Sequence, residues 1–149
     1  MGFTCDNELE IEGGSAEERQ AAADLALALD SVDEDSATRR EAEPAEAGAS
    51  GRGKTLVLRF RSVDGLPEEG IAALASQFPG LDFTLAYYSR DGKFFGYGRS
   101  GASGEEAASE DIADEGESGT PPPLFERFGG DGIAFVRDRF SLDRRGGGL

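Results

Sequence analysis

The stretch Leu66–Arg99, LPEEGIAALASQFPGLDFTLAYYSRDGKFFGYGR, carries in order the signals of a helix, a stop, a strand, a tight turn and a return strand. Pro67 suits the first helical position, where its missing N–H would be unpaired anyway. Glu68 and Glu69 fall in the first turn, where the helix dipole favours negative charge. Ile71, Leu74, Ala75 and Phe78 follow the i, i+3, i+4, i+7 spacing of one apolar stripe. Pro79-Gly80 stops the helix. Beyond it Leu81, Phe83, Leu85 and Tyr87 alternate with Asp82, Thr84, Ala86 and Tyr88, the pattern of a half-buried strand. Asp91-Gly92 is a hairpin signal, because a type I′ turn needs positive φ at both central residues. Lys93–Arg99 is then the return strand, with Gly96 and Gly98 leaving room for a close approach to its backbone.

Working outward, Phe3, Cys5, Leu9 and Ile11 share one parity and Glu8, Glu10 and Glu12 the other, which predicts a first strand with one buried and one charged face. Gly13-Gly14 turns it. Ser15 with Glu18 three residues on is a capping box for a helix running to about Leu29, with Ala22, Leu25 and Leu29 as its buried stripe. Residues 30–53 are acidic and rich in Ala, Ser and Gly, and read as a flexible insertion with helical character around Ala37–Ala47. A second strand is expected over Thr55–Val63, with Leu56, Leu58 and Phe60 inward and Val57, Arg59 and Arg61 outward. Residues 101–123 read as an acidic linker ending in three prolines. Residues 124–149 read as a docking segment, through Phe125, Phe128, Ile133, Phe135 and Val136, followed by a frayed tail.

Ile71-x-x-Leu74-x-x-x-Phe78-Pro79-x-Leu81-x-Phe83-x-Leu85-x-Tyr87, followed by Phe95-Gly96, resembles the signature of the YubB-type ferredoxin-like domain family. The opening Cys5-Asp6-Asn7-Glu8-Leu9-Glu10-Ile11-Glu12-Gly13 is similar to that family's C-x-N-x-L-x-I/V-x-G. The resemblance covers roughly half the chain and rests mostly on core and turn residues. It departs just before the central helix, where Val63-Asp64-Gly65-Leu66-Pro67 holds no Trp. It implies a ferredoxin-like sandwich and a protein of a plasmid, phage or integrated element, and it brings no catalytic residues. The expected fold is a single α+β domain in the order β-α-β-α-β-β plus the C-terminal segment. Two βαβ crossovers and a hairpin would make a mixed sheet with two helices on one face. The other face would carry Glu8, Glu10, Arg59, Arg61, Thr84 and Tyr88.

Composition narrows the chemistry. The 149 residues hold 30 acids against 15 bases, a net charge of −15, with no histidine and one cysteine. Such a field repels nucleic acid. Without histidine there is no Cys/His zinc site and no general base with an ordinary pKa near 7. Lys54 and Lys93 are the only lysines. Acid excess with few lysines is the pattern of a protein from a salt-rich interior. No run reaches the ~18 apolar residues of a membrane span, and the start shows no basic-then-apolar leader. A cytoplasmic or virion-associated location is therefore expected.

Gly48-Ala-Ser-Gly-Arg-Gly53-Lys54-Thr55 matches the phosphate-loop letters G-x-x-x-x-G-K-[ST]. That chemistry needs a strand before the loop and a helix after it. Here an acidic segment precedes and the strand-like Leu56–Phe60 follows, so the match reads as coincidence. Asp33-Glu34-Asp35, Glu105-Glu106, Glu110-Asp111 and Asp114-Glu115 lack the spacing of a calcium loop. Cys5 sits on the buried parity and reads as a packed small hydrophobe. The surface that invites a partner is the outer sheet face, where Arg59, Arg61 and Tyr88, with Phe94, would form a small basic and aromatic platform. The expected function is a non-enzymatic interaction or accessory protein, its protein partner met through the sheet face or an edge strand. The alternative is an acidic nucleic-acid mimic that inhibits a host DNA-binding protein. No catalytic residue, cofactor or metal is expected.

Overall fold

A computed structural model describes residues 4–29, 31–42, 55–63, 67–89, 94–101, 104–111 and 132–140. The elements are β1 (Thr4–Gly13), α1 (Ala16–Leu27), β2 (Val32–Ala42), β3 (Thr55–Val63), α2 (Glu68–Gln77), β4 (Leu81–Ser89), β5 (Phe94–Gly101), β6 (Glu106–Asp111) and α3 (Gly132–Arg139). They form an α+β fold with one six-stranded sheet in the order β2-β3-β1-β4-β5-β6. Every neighbouring pair is antiparallel. This corrects the expected mixed sheet. Each crossover helix leads past an intervening strand: β3 lies between β1 and β2, and β1 lies between β3 and β4. Strands running the same way are therefore never neighbours.

Two further strands come from segments read as linkers. Within 30–53, Val32–Ala42 forms the edge strand β2 instead of helical or irregular chain. Its side chains give little sign of this, since only Val32 and Ala37 pack on the core; its pairing with β3 comes from the backbone. The register slips between Asp33↔Arg61 and Thr38↔Arg59. Ser36 fills that bulge: its hydroxyl donates to the Asp33 carbonyl at 2.7 Å and accepts from the Arg61 N–H at 2.8 Å. Within 101–123, Glu106–Asp111 forms β6, paired to β5 from Phe94↔Asp111 to Arg99↔Glu106 without a slip. Residues 43–53 and 112–123, and the Asp91-Gly92 turn, lie outside the described residues.

The inner layer is built as the alternation dictates. Leu9, Ile11, Leu56, Leu58, Leu81, Phe83 and Leu85 meet Ile71 and Leu74 from α2 and the small face of α1. Ser15 caps α1, accepting from the Glu18 N–H at 3.1 Å while its own N–H donates to Glu18 Oε1 at 2.9 Å. The buried stripe of α1 is Arg19, Ala22, Ala23, Ala26 and Leu27; Leu25 is 43 % exposed, against expectation. Arg19 reaches back to donate to the carbonyls of Gly13 and Gly14, tying the helix start to the end of β1.

A third helix occupies the opposite face. Of the segment 124–149, Phe125 and Phe128 lie outside the described residues, whereas α3 lays Ile133, Phe135 and Val136 on Ala86, Tyr88, Phe95 and Tyr97. Among the described residues there are three helices, with α1 and α2 on the inner layer and α3 on the outer one. Gly132 allows this approach, because a Cβ there would lie 2.6 Å from the Tyr88 ring.

Gly96 has a comparable reason. A Cβ on it would lie 2.5 Å from the Ala108 carbonyl oxygen and 2.6 Å from the Tyr87 hydroxyl. The oxygen belongs to a paired strand and has nowhere to go. Gly96→Ala is expected to destabilise by about 1–3 kcal/mol, the usual cost of overpacking, read by urea unfolding. A stability gain, as Ala gives at unconstrained strand positions, would place β6 elsewhere.

Candidate interaction surface

The outer face contains the residues that sequence reasoning placed there, but not as an open platform. Glu8 and Glu10 point outward from β1 and are nonetheless buried, at 5 % and 4 % exposure. Arg137 from α3 covers them. Its Nη1 sits 2.5 Å from Glu8 Oε1 and 2.5 Å from Glu10 Oε2. On the other side Arg59 donates through Nε to Glu8 Oε2 at 2.8 Å. Two carboxylates held between two guanidiniums satisfy the rule that buried charge must be paired.

Tyr88 lies beside this cluster, 7 % exposed, in an aromatic row closed by α3. It stacks on Phe95 at 6.3 Å; Phe95 meets Phe135 at 5.2 Å and Phe140 at 5.9 Å; Tyr97 meets Phe140 at 5.0 Å. Tyr88 is therefore core here and not a stacking surface. Phe94 is on the other face altogether. It pairs with Ser89 and packs edge-on to Tyr87 at 6.1 Å, against the inner core. Of the four expected surface residues, Arg59 and Arg61 are both exposed, Arg59 while ion-paired to Glu8. The structure brings Arg59, Arg61 and Tyr88 to one face and separates Phe94 from them.

At the β5–β6 end, Tyr97 Oη donates to Glu106 Oε2 at 2.7 Å and Arg99 Nη1 donates to Glu106 Oε1 at 3.0 Å. The Arg99 guanidinium lies over the Tyr97 ring, 5.5 Å from its centre. The Tyr97 hydroxyl bond, then the Arg99 bond, hold the Glu106 carboxyl below the usual range. Burial, then Glu106, push the Tyr97 phenol above its usual 10.0. The Glu106 contribution to stability is present above the ordinary carboxylate pKa and is lost as pH falls through the depressed folded value. The Tyr97 contribution is present below 10.0 and is lost as pH rises through the raised folded value.

Sequence reasoning did not locate two features. The first is the pair of sheet edges. Among the described residues nothing pairs with the outer side of β2 or of β6. The second is a cleft of about 470 Å³ between α2 and the β5–β6 ribbon, with Leu85, Gly98, Ser100 and Ala107 along the sheet and Glu69, Ile71 and Ala72 along the helix. The ribbon extends the sheet past the helices, and its inward residues are small, so a hollow is left beside α2. The glycine at 98 was the one sequence signal for it.

The remaining motifs have these places. Gly48–Lys54 lies outside the described residues, and Thr55, next in the phosphate-loop letters, opens a strand. Cys5 is fully buried. Among the described residues no group of three or more His, Cys, Asp or Glu side chains is placed to hold a metal ion. No helix among them is long and apolar enough to cross a membrane. No protein-family model matches the chain, and no curated protein or solved structure matches it.

Proposed function

We propose that this chain is a non-enzymatic interaction or accessory protein that engages a protein partner through an open edge strand, with β6 as the first choice. The observation that carries this reading is the strand order, in which β2 and β6 are the outermost of the described strands, on a sheet whose outer face carries α3. An edge presents a row of backbone donors and acceptors that an extended segment can complete. Natural sheets blunt such edges with bulges. β2 carries one and β6 does not, which favours β6. The order β2-β3-β1-β4, with α1 and α2 as crossovers, supports a ferredoxin-like unit extended by β5 and β6. The YubB-type resemblance in the same segment supports an accessory role in a mobile element or virus, acting in the host cytoplasm or in a particle.

The nucleic-acid mimic is the weaker reading. Mimicry needs rigid, exposed carboxylates, and the outward-pointing Glu8 and Glu10 of β1 are buried and paired with Arg137 and Arg59.

Edge pairing is tested with proline at two adjacent β6 positions, Ala107→Pro and Ala108→Pro. Strand residues alternate, so one of the two N–H groups points away from β5 and its loss leaves the sheet intact. The variant that keeps the parent melting temperature should lose the partner captured from host lysate. Equal capture by parent and variant would remove the β6 reading. Genes for replication, integration or capsid functions beside this one would support the accessory role, and a metabolic operon would overturn it.

The acid excess is proposed to be adaptation to high salt. Ordinary screening is nearly complete by 1 M, where the Debye length is about 3 Å. The melting temperature should nonetheless keep rising in KCl between about 1 and 3 M. A flat profile from about 0.1 to 3 M would remove this origin for the −15 charge and bring the mimic forward.

A further inference from the structure

We infer that the partner segment received at β6 is basic, and that it places the aliphatic stem of a Lys or Arg side chain in the cleft beside α2. This rests on the edge-pairing reading above. The apolar part of the cleft lining is Ile71, Leu85, Gly98 and Ala107, and its volume of about 470 Å³ is ample for a long side chain. The charges that line it are Glu69, Glu105 and the ion pair Arg99–Glu106, so that the lining is net negative with Arg99 already paired. An apolar trough with carboxylates at its mouth complements a long side chain with an apolar stem and a cationic head.

The geometry of strand addition links the cleft to the edge. A seventh strand would lie about 4.8 Å beyond β6. Its residue opposite Ala107 would point to the same face as Ala107 and Gly98, which are paired across β5 and β6. Alanine and glycine leave that path open, so a side chain of lysine or arginine length crosses β6 and enters the trough. A short side chain at that position would leave the trough unfilled.

Charge also argues against self-pairing. The β6 segment Glu106-Ala107-Ala108-Ser109-Glu110-Asp111 holds three acids and no base. Two copies laid edge to edge would oppose like charges, which is destabilising in a cross-strand pair. A basic segment gains where a second copy loses.

The test uses the full chain and two fluorescent synthetic peptides of about eight residues, one alternating Lys and Thr and its twin alternating Glu and Thr. Anisotropy should show binding of the Lys peptide only, weakening with added salt. Glu69→Gln with Glu105→Gln should weaken it about tenfold, the scale of a lost charge-assisted contact. Ala107→Leu, which fills the trough, should weaken it comparably while leaving the salt dependence of the parent unchanged. Circular dichroism and melting of each variant check that the fold is intact. Equal binding of both peptides, lost on the edge proline, would leave edge pairing standing and overturn the basic occupant. Binding of the Lys peptide that is indifferent to both the Gln pair and Ala107→Leu would overturn the cleft assignment. No binding of either peptide at about 1 mM would overturn the inference, leaving lysate capture to decide the edge reading.

Discussion

Arg137→Ala is expected to lower stability by about 3–5 kcal/mol, the usual cost of removing one partner from a buried ion pair. Glu8 would keep Arg59, but Glu10 would lose its guanidinium in a site that is 4 % exposed. The stability lost with Arg137 is then mostly the cost of keeping a buried carboxylate without that guanidinium. One control separates this from simple loss of packing. A triple variant, Glu8→Gln, Glu10→Gln and Arg137→Met, should recover most of the stability, since a buried ion cluster replaced by neutral groups is often near-neutral overall. A loss below about 1 kcal/mol from Arg137→Ala alone would mean that α3 is not anchored through this cluster.

Phe83→Ala is expected to cost a similar amount, about 3–5 kcal/mol, for a different reason. Phe83 is 1 % exposed, mid-strand on β4, paired with Ile11 and packed in the cluster that includes Leu74 and Phe78. Truncation leaves a cavity between sheet and helix that neither can collapse into. Domains typically have about 5–15 kcal/mol in hand, so the variant should approach unfolding at 37 °C. A loss below about 1 kcal/mol would invert the assigned faces of β4.

The contrast between these two sites explains what the sequence revealed. Phe83, Leu9 and Leu58 advertise themselves, because period-two alternation is a local property of a strand with one buried face. β2 and β6 do not, because an edge strand takes its order from backbone pairing and needs no apolar row; VDEDSATRREA has only Val32 and Ala37 to offer the core. Glu8 and Glu10 misled for a related reason. They occupy the charged parity of β1, and the guanidinium that buries them lies 129 residues beyond Glu8. Phe94 was legible and misplaced. A two-residue Asp91-Gly92 loop pairs Ser89 with Phe94 and Tyr88 with Phe95, which is the observed register. Following that pairing through places Phe95, not Phe94, beside Tyr88. The edges and the cleft were out of reach, because both are properties of where the sheet ends relative to its helices.

The position of β1 between β3 and β4 has a consequence for synthesis. β1 leaves the ribosome before the other described strands, yet its partners are Thr55–Val63 and Leu81–Ser89. At about 5–20 residues per second, it waits several seconds before either edge can be paired. The nascent chain must close long loops before its sheet can form, which favours slow folding. During that wait the acids at 6, 8, 10 and 12 separate the apolar residues of β1 and repel other copies of the same segment. The charges that end up clamped under α3 serve first as the solubilising face of an unpartnered strand.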